Sequence, residues 1–152
     1  MLTARDVTVM FRTIVVGIDG SDASHAALQW AVDAASDPAS TLHVLTVVES
    51  TASPYRFSVT EIDEINTAAT ELVDDLVEAH RDHEVELVAA VRRGRAHTEL
   101  LEYADEVDAD LLVVGQRGVD GVEQMLLGST ADRVARLASI PVVIVPSHET
   151  GE

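Results

Sequence analysis

The sequence contains no cysteine and no lysine, and each absence excludes a class of functional site. Without cysteine the chain has no disulfide framework, no thiolate metal ligand and no cysteine nucleophile. Without lysine it has no Walker A phosphate loop, because that motif requires a lysine before its Ser or Thr. Aromatic residues make up 3% of the chain, which leaves no stacking platform for single-stranded nucleic acid.

Long hydrophobic runs are absent as well. No apolar stretch approaches the roughly 18–20 residues that a membrane helix requires. The first residues carry charges and have no long apolar core, so they do not resemble a signal peptide. We therefore expect a soluble, cytoplasmic protein with no membrane partner.

Positive charge is scarce. The chain has 27 acidic residues against 10 basic ones, all of them arginine, and a net charge of −17 at pH 7. Nucleic-acid binding relies on cations that neutralise phosphates, so this balance argues against a nucleic-acid partner. The acids are spread over helical faces rather than gathered in a tail. Concentrated salt screens such self-repulsion, and the composition therefore favours a halophilic host.

Length and composition indicate one globular domain. The chain has 152 residues and is 47% hydrophobic, which suffices for a full core. We assign the domain to residues 10–147, because the pattern of strands begins directly after Met10-Phe11-Arg12. Residues 1–9 are predicted to form a peripheral arm and residues 148–152 a polar tail.

Short apolar runs alternate with helical segments along this domain. The runs are apolar on both faces, as buried parallel strands are, and the helical segments carry apolar residues at i, i+3, i+4 spacing. This order predicts an α/β fold: an open five-stranded parallel sheet with right-handed crossovers and helices on both faces. The predicted strands are 13–19, 41–48, 86–91, 110–114 and 142–145; the predicted helices end near 35, begin near 60, span 96–106 and begin near 129.

Helical periodicity also predicts which side chains face the sheet. The long second helix places Ile65 on its buried stripe, and the last helix places Val134, Leu137 and Ala138 inward. The first helix is predicted to begin at a cap formed by Ser21 or Asp22.

Ligands on parallel sheets bind outside the carboxyl ends of the strands, where the strand order reverses. Asp19, Val47 and Gly115 all lie at such ends, so we expect them to converge on one crevice. Asp19 has three interpretations: a helix-capping acid, a ribose acceptor or a magnesium ligand. We favour a ligand-facing role because Asp19 shares the crevice edge with Gly115.

A glycine-rich stretch from Leu111 to Thr130 is the most informative part of the chain. Half of the eight glycines lie between Gly115 and Gly128, directly after a buried strand and directly before a helix. A strand, a glycine loop and a helix N-terminus together present N–H groups and a favourable dipole to an anion. The alternative is structural: Ser129 caps the helix, with Asp132 completing a capping box.

The spacing Gly115-x2-Gly118-x9-Gly128-Ser129-Thr130 identifies the kind of site more closely. A Rossmann dinucleotide motif is excluded, because the first turn, Gly17 to Ser21, does not match G-x-G-x-x-G. The spacing and its flanking strands resemble the universal stress protein family, and the resemblance extends from Phe11 to Pro146. It implies a Rossmann-like fold of the adenine nucleotide alpha-hydrolase type, and an ATP site in members that keep the motif.

The resemblance also implies a role for each matching residue. Ile18 and Asp19 would line the adenine and ribose side, and Val47 would contact adenine through its backbone. Val114, Gly115 and Gly118 would follow the ribose and first phosphates. Gly128, Ser129 and Thr130 would bind the outer phosphates through N–H groups and hydroxyls.

Arg117 lies inside the loop and has two interpretations. It is either a solvated loop charge or a phosphate contact, and the second has force because so acidic a protein repels ATP unless a cation stands at the site. Mg²⁺ accompanying the nucleotide is compatible with the sequence, in which Asp19 is the one residue with a magnesium ligand among its interpretations.

The expected function is that of an ATP-binding regulatory or protective stress protein. No general base or nucleophile can be assigned near the loop, so we predict no catalytic residue. A slow ATPase or phosphotransferase using the same site is the first alternative, and a dimerisation module without nucleotide is the second. The resemblance implies a homodimer in which the fifth strand, Val142, Val143, Ile144 and Val145, meets its twin.

Overall fold

The structure is a computed structural model, and it describes residues 11–35, 38–49, 59–82, 84–117 and 127–147, with 59–63 as backbone only. The predicted arm, the polar tail and Gly118 lie outside these residues. Within the described ranges the chain alternates regularly between strands and helices. The strands are β1 (Thr13–Ile18), β2 (Thr41–Val48), β3 (Glu86–Arg93), β4 (Leu111–Gly115) and β5 (Val142–Val145); the helices are α1 (Asp22–Ala34), α2 (Val59–Ala79), α3 (Ala96–Glu106) and α4 (Ser129–Leu137).

The strands form one 5-stranded sheet in the order β3-β2-β1-β4-β5. Every pairing in it is parallel. The predicted α/β fold is therefore confirmed. Strand order reverses at β1, which pairs with β2 on one side and β4 on the other, so the chain builds a crevice there.

The two-sided apolar character of the strands produces two cores, one on each face of the sheet. Ile14 and Val16 of β1 pack with α1 and α2, whereas Val15 packs with α3 and α4. Successive side chains of a strand point to opposite faces, so a single strand supplies both cores. This arrangement holds the helices on both faces and brings the first turns of α1, α3 and α4 to the carboxyl edge of the sheet.

Two inward predictions were wrong. Ile65 of α2 is 40% exposed and Leu137 of α4 is 63% exposed. The 21-residue α2 is about 30 Å long. The 8-residue strand β3 spans only about 26 Å, so about one turn of the helix has no strand beneath it. Leu137 is the last residue of the 9-residue α4, where no further turn covers it.

Candidate functional site

A cleft of about 550 Å³ opens at the carboxyl edge of the sheet, where β1, β2 and β4 end. Residues distant in sequence meet there because parallel strands bring their carboxyl ends to one edge. The structure brings together every predicted site residue that it describes; Gly118 lies outside the described residues. The cleft is lined by Ile18, Asp19, Val47, Val114, Gly115, Arg117, Gly128, Ser129 and Thr130.

The two ends of the glycine loop are tied together by backbone hydrogen bonds. Gly128 N–H donates to the Gln116 carbonyl oxygen at 2.7 Å, and Gln116 N–H donates to the Val145 carbonyl oxygen at 2.8 Å. The loop therefore starts and ends beside β4 and β5. The expectation that Gly128 offers its N–H to a phosphate needs correction, because that donor is already used to close the loop.

Among the described residues, no side chain caps the start of α4. Gly128 occupies the N-cap position, and Ser129 is the first helical residue, so the alternative in which Ser129 caps the helix is wrong. The first bond of the helix runs from Asp132 N–H to the Gly128 carbonyl oxygen at 2.9 Å. The N–H groups of Ser129, Thr130 and Ala131 precede that bond and have no acceptor within the helix. All three residues line the cleft, and N–H groups in this arrangement are chemically suited to an anion.

Helix α1 begins at the same edge and satisfies its own first turn. Ser21 is the N-cap, and its Oγ accepts from Ser24 N–H at 3.1 Å. Asp19 Oδ1 in turn accepts from Ser21 N–H at 2.9 Å and from Ser21 Oγ at 2.5 Å. Asp19 thus orients the capping residue rather than capping the helix itself, and it stands exposed at the edge of the cleft.

Close packing requires a glycine at position 115, and the glycine pattern in the sequence does not reveal this. A Cβ at this position would lie 2.7 Å from the Ala23 carbonyl carbon and 2.9 Å from Ser24 N, both in the backbone of α1. The end of β4 therefore touches the first turn of α1 directly. This close approach holds the start of α1 against the end of β4, at the edge where the cleft opens.

The wall opposite α4 comes from β2 and α3. Val47 lies at the end of β2, and Thr46 Oγ1 donates to the Ile18 carbonyl oxygen at 2.6 Å, which fastens β2 to β1. Leu100 of α3 lies behind them in the cleft lining. Glu49, just beyond β2, accepts from Ala96 N–H at 3.1 Å and so caps α3.

Comparison with known proteins identifies the family to which this sequence and fold belong. The sequence profile of the Universal stress protein family matches residues 10–146. The chain belongs to the universal stress protein family. The resemblance predicted from the glycine spacing and its flanking strands is thereby confirmed at the level of the family.

Individual members resemble the chain over most of its length. Universal stress protein YxiE of Bacillus subtilis is 32% identical over 147 residues, which cover 90% of this chain and 99% of YxiE. The solved structure of UspA from Lactobacillus plantarum superimposes with a TM-score of 0.80 at 26% identity, covering 88% of this chain and 97% of its own. A universal stress protein solved in complex with cAMP is 32% identical, with a TM-score of 0.64, covering 90% of this chain and 98% of its own.

A polar network braces the β2–α3 wall in this member of the family. Tyr103 on α3 hydrogen-bonds His43 Nδ1 on β2 at 2.7 Å, and the Arg92 guanidinium lies 4.9 Å from the centre of the Tyr103 ring. Arg92 also makes a two-pronged pair with Glu106, at 2.8 and 3.1 Å. The network joins β2, β3 and α3, so it fixes α3 over the edge of the sheet.

Burial and pairing shift the ionisation of the network. Burial lowers the pKa of His43, partly opposed by Glu86, and burial raises the pKa of Tyr103. The hydrogen bond from Arg92 lowers the pKa of Glu106 and, from the other side, raises the pKa of Arg92. Burial thus favours the neutral form of His43, and the pair with Arg92 favours the ionised form of Glu106.

Charge in the cleft is divided between its two ends. Arg117 is the only arginine among the described residues that line it, and it follows β4 beside the α4 end. Two carboxylates, Asp19 and Glu49, line the β1 and β2 end. Sequence reasoning missed Glu49, because its capping partner Ala96 lies 47 positions away; its place directly after β2 was the available signal.

The described ranges exclude two other kinds of site. They contain no group of three or more His, Asp or Glu side chains that could hold a metal ion. None of their helices is long and apolar enough to cross a membrane.

Proposed function

We propose that this universal stress protein binds an adenine nucleotide in the cleft, as a member of the ATP-binding branch of the family. The observation that carries the proposal is the uncapped start of α4. The N–H groups of Ser129, Thr130 and Ala131 face a cleft instead of a side chain of their own helix. A helix N-terminus with unsatisfied donors beside an arginine matches the needs of a phosphate.

The rest of the cleft suits a nucleoside. In this proposal the phosphates bind at α4 and Arg117, the ribose at Asp19, and the adenine against Val47 and Leu100, all of which are in the cleft lining or beside it. Strands β4 and β2 are separated by β1, so the two ends of the cleft are about 10 Å apart. That separation suits a base and ribose placed at one end and phosphate at the other. The cAMP complex of the relative that is 32% identical supports a nucleotide as ligand.

Ile18, Val114, Gly115 and Gly118 would line the path between base and phosphates, as the family motif implies. Gly128 contributes by closing the loop rather than by donating its N–H. The described residues lack a cluster of metal ligands, so Mg²⁺ would enter with the nucleotide, held by its phosphates.

The role that follows is regulatory or protective and belongs to the cytoplasm of a halophilic host. The subunits pair through β5, which lies at the edge of the sheet with Val142, Val143 and Ile144 only partly buried. The exposed Leu137 of α4 adds apolar surface near that edge. Edge strands with apolar side chains favour pairing, and an isologous dimer would cover both copies.

The proposal is tested directly by identifying any nucleotide that the purified protein releases when it is denatured. The protein is purified in concentrated salt and denatured, and any nucleotide is identified by chromatography; it is then incubated with labelled ATP. Bound ATP without turnover is expected. Steady release of ADP would instead support a slow ATPase or phosphotransferase, and no nucleotide at any concentration would leave only a dimerisation module.

The substitution Arg117→Gln distinguishes the two interpretations of Arg117, a phosphate contact and a solvated loop charge. If Arg117 contacts phosphate, the affinity for ATP should fall roughly tenfold, since charge-assisted bonds contribute about 1.5–3 kcal/mol. Arg81→Gln is the matched control, because Arg81 follows the far end of α2 and forms an exposed pair with Glu78 at 2.9 Å. Equal affinities in both variants would show that Arg117 is only a loop charge.

A further inference from the structure

Glu49 places a fixed negative charge on the wall of the cleft. It directly follows β2, and its Oε1 accepts from Ala96 N–H, the first residue of α3, at 3.1 Å. Arg95 holds the N-cap position of α3 but provides no side-chain capping bond. Glu49 thus replaces a local cap, and the hydrogen bond holds its side chain against the wall.

Capping alone does not require a charge at this position. A glutamine carbonyl would accept from Ala96 N–H in the same geometry, since both side chains have the same length and an oxygen acceptor at the tip. The charge favours the dipole of α3 and, in addition, acts on whatever occupies the cleft. Glu49 is exposed, so mobile ions screen its field and its effect depends on the salt concentration.

Within the cleft lining little offsets that charge, although Arg93 and Arg95 stand just outside the lining, beside Val48 and Ala96. Asp19 is a second carboxylate in the lining, against Arg117 as the lining arginine among the described residues. The first turns of α1, α3 and α4 each carry an acid, Asp22, Glu99 and Asp132. These carboxylates oppose the positive ends of the helix dipoles, and the whole chain carries −17.

We propose that Glu49 is a specificity-determining residue that disfavours nucleotides of high negative charge at low salt, and that its effect fades as salt rises. The inference rests on the proposed function, because it concerns a nucleotide with its phosphates at α4. The repulsion grows with the number of phosphate charges, so it weakens ATP binding more than AMP binding.

The expected effect of Glu49 on ATP affinity follows from the distance between its carboxylate and the phosphates across the cleft. Charges about 10 Å apart interact weakly in water, but several phosphate charges act together in a partly enclosed site. In Mg²⁺-free buffer at about 0.1 M KCl, Glu49→Gln should tighten ATP binding roughly threefold. At about 2 M KCl the screening length falls below this separation, and the two affinities should coincide.

The test is titration calorimetry of wild type, Glu49→Gln and Asp74→Asn with ATP and with AMP, at both salt concentrations. Asp74→Asn removes the same charge from the exposed face of α2, which packs on the opposite side of the sheet from α3. Circular dichroism at each salt concentration confirms that the variants are folded. The ATP-to-AMP affinity ratio within one variant is independent of small differences in the folded fraction.

The inference is supported if Glu49→Gln raises the ATP-to-AMP affinity ratio at low salt, Asp74→Asn leaves it unchanged, and the difference disappears at high salt. It is overturned if the ratio is equal in all three proteins, or if both substitutions raise it equally, which would indicate net charge alone. Wild-type protein that binds neither nucleotide at either salt concentration would overturn the proposed function, and this inference with it.

Discussion

Helices α1 and α4 begin at the same edge of the sheet, one on each face, yet their first turns differ. Ser21 caps α1, and Asp19 orients Ser21 from the end of β1. Gly128 begins α4 with no side chain to offer, and its own N–H closes the glycine loop. One helix start is satisfied by the protein, whereas the other presents its donors to a cleft.

This contrast indicates that the start of α1 contributes to stability, whereas the start of α4 leaves its N–H groups available for a ligand. Capping by Ser or Asp contributes about 1 kcal/mol to a helix, and α4 forgoes it. The donors left over are the ones that an anion needs, already positioned by the sheet. Helix α3 is intermediate, because Glu49 caps it from another element and also lines the cleft.

The largest expected effect concerns the contact between the end of β4 and the first turn of α1. Gly115→Ala should lower the free energy of unfolding by roughly 2–3 kcal/mol, because overpacking forces the backbone to move. The added Cβ would lie 2.7 Å from the Ala23 carbonyl carbon and 2.8 Å from Ala23 Cβ. Denaturant unfolding monitored by circular dichroism measures the change.

Gly20→Ala is the control for this substitution. Gly20 has φ +85°, but no atom lies within 4 Å of the added Cβ, so only backbone strain of about 1–2 kcal/mol is expected. If Gly115→Ala costs no more than Gly20→Ala, the close approach of β4 to α1 is not a real constraint on the cleft.

The next largest effect is a difference in stability between alanine substitutions of Ser21 and Ser129, the serines at the two helix starts. Ser21→Ala should destabilise the protein by about 1 kcal/mol, because Ser24 N–H loses its acceptor. Ser129→Ala should change stability by less than about 0.5 kcal/mol, since Ser129 is exposed and caps nothing. Thermal or denaturant unfolding of the two variants measures both values, and an equal loss of stability would remove the contrast between α1 and α4.

The fold was predictable because its signals are local. The strand Thr41–Val48 and the helix Ala96–Glu106 have the predicted bounds, since apolar runs and helical spacing are visible within a few residues. The pairing order and the convergence of Asp19, Val47 and Gly115 follow from the rules for parallel sheets.

The details of the site were less predictable because they depend on contacts between distant segments. The preference of serine for N-caps suggested Ser129, but the bond from Gly128 N–H to Gln116 shifts the helix start by one residue. The glycine pattern suggested that Gly115 serves a ligand, whereas its nearest neighbours belong to α1. Periodicity placed Ile65 inward because it carries no information about where the sheet ends beneath a helix.

The smallest expected effect on stability concerns the β2–α3 wall of the cleft. There the side chains of His43 and Tyr103 hydrogen-bond each other. Burial lowers the pKa of His43 from 6.5, so below that pH the unfolded chain binds more protons than the folded one. Stability should therefore be complete above about pH 6.5 and decline as the pH falls below it. Unfolding of wild type and His43→Gln at several pH values measures this decline.

Loss of the ionisable ring in His43→Gln should make the decline shallower. His25→Gln removes a histidine from an exposed position on α1 and is the control for this substitution. Parallel pH profiles for wild type and His43→Gln would show that His43 does not contribute.

The most direct test of the account compares proline at the first position of each helix. Ser129→Pro removes an N–H and a hydroxyl from the start of α4, and Asp22→Pro makes the corresponding change in α1. Both should fold, because proline is favoured at this position and the preceding residues, Gly128 and Ser21, are extended. Calorimetry should show ATP affinity reduced about tenfold or more in Ser129→Pro and close to wild type in Asp22→Pro. Wild-type affinity in a folded Ser129→Pro protein would contradict the assignment of α4 as the phosphate site.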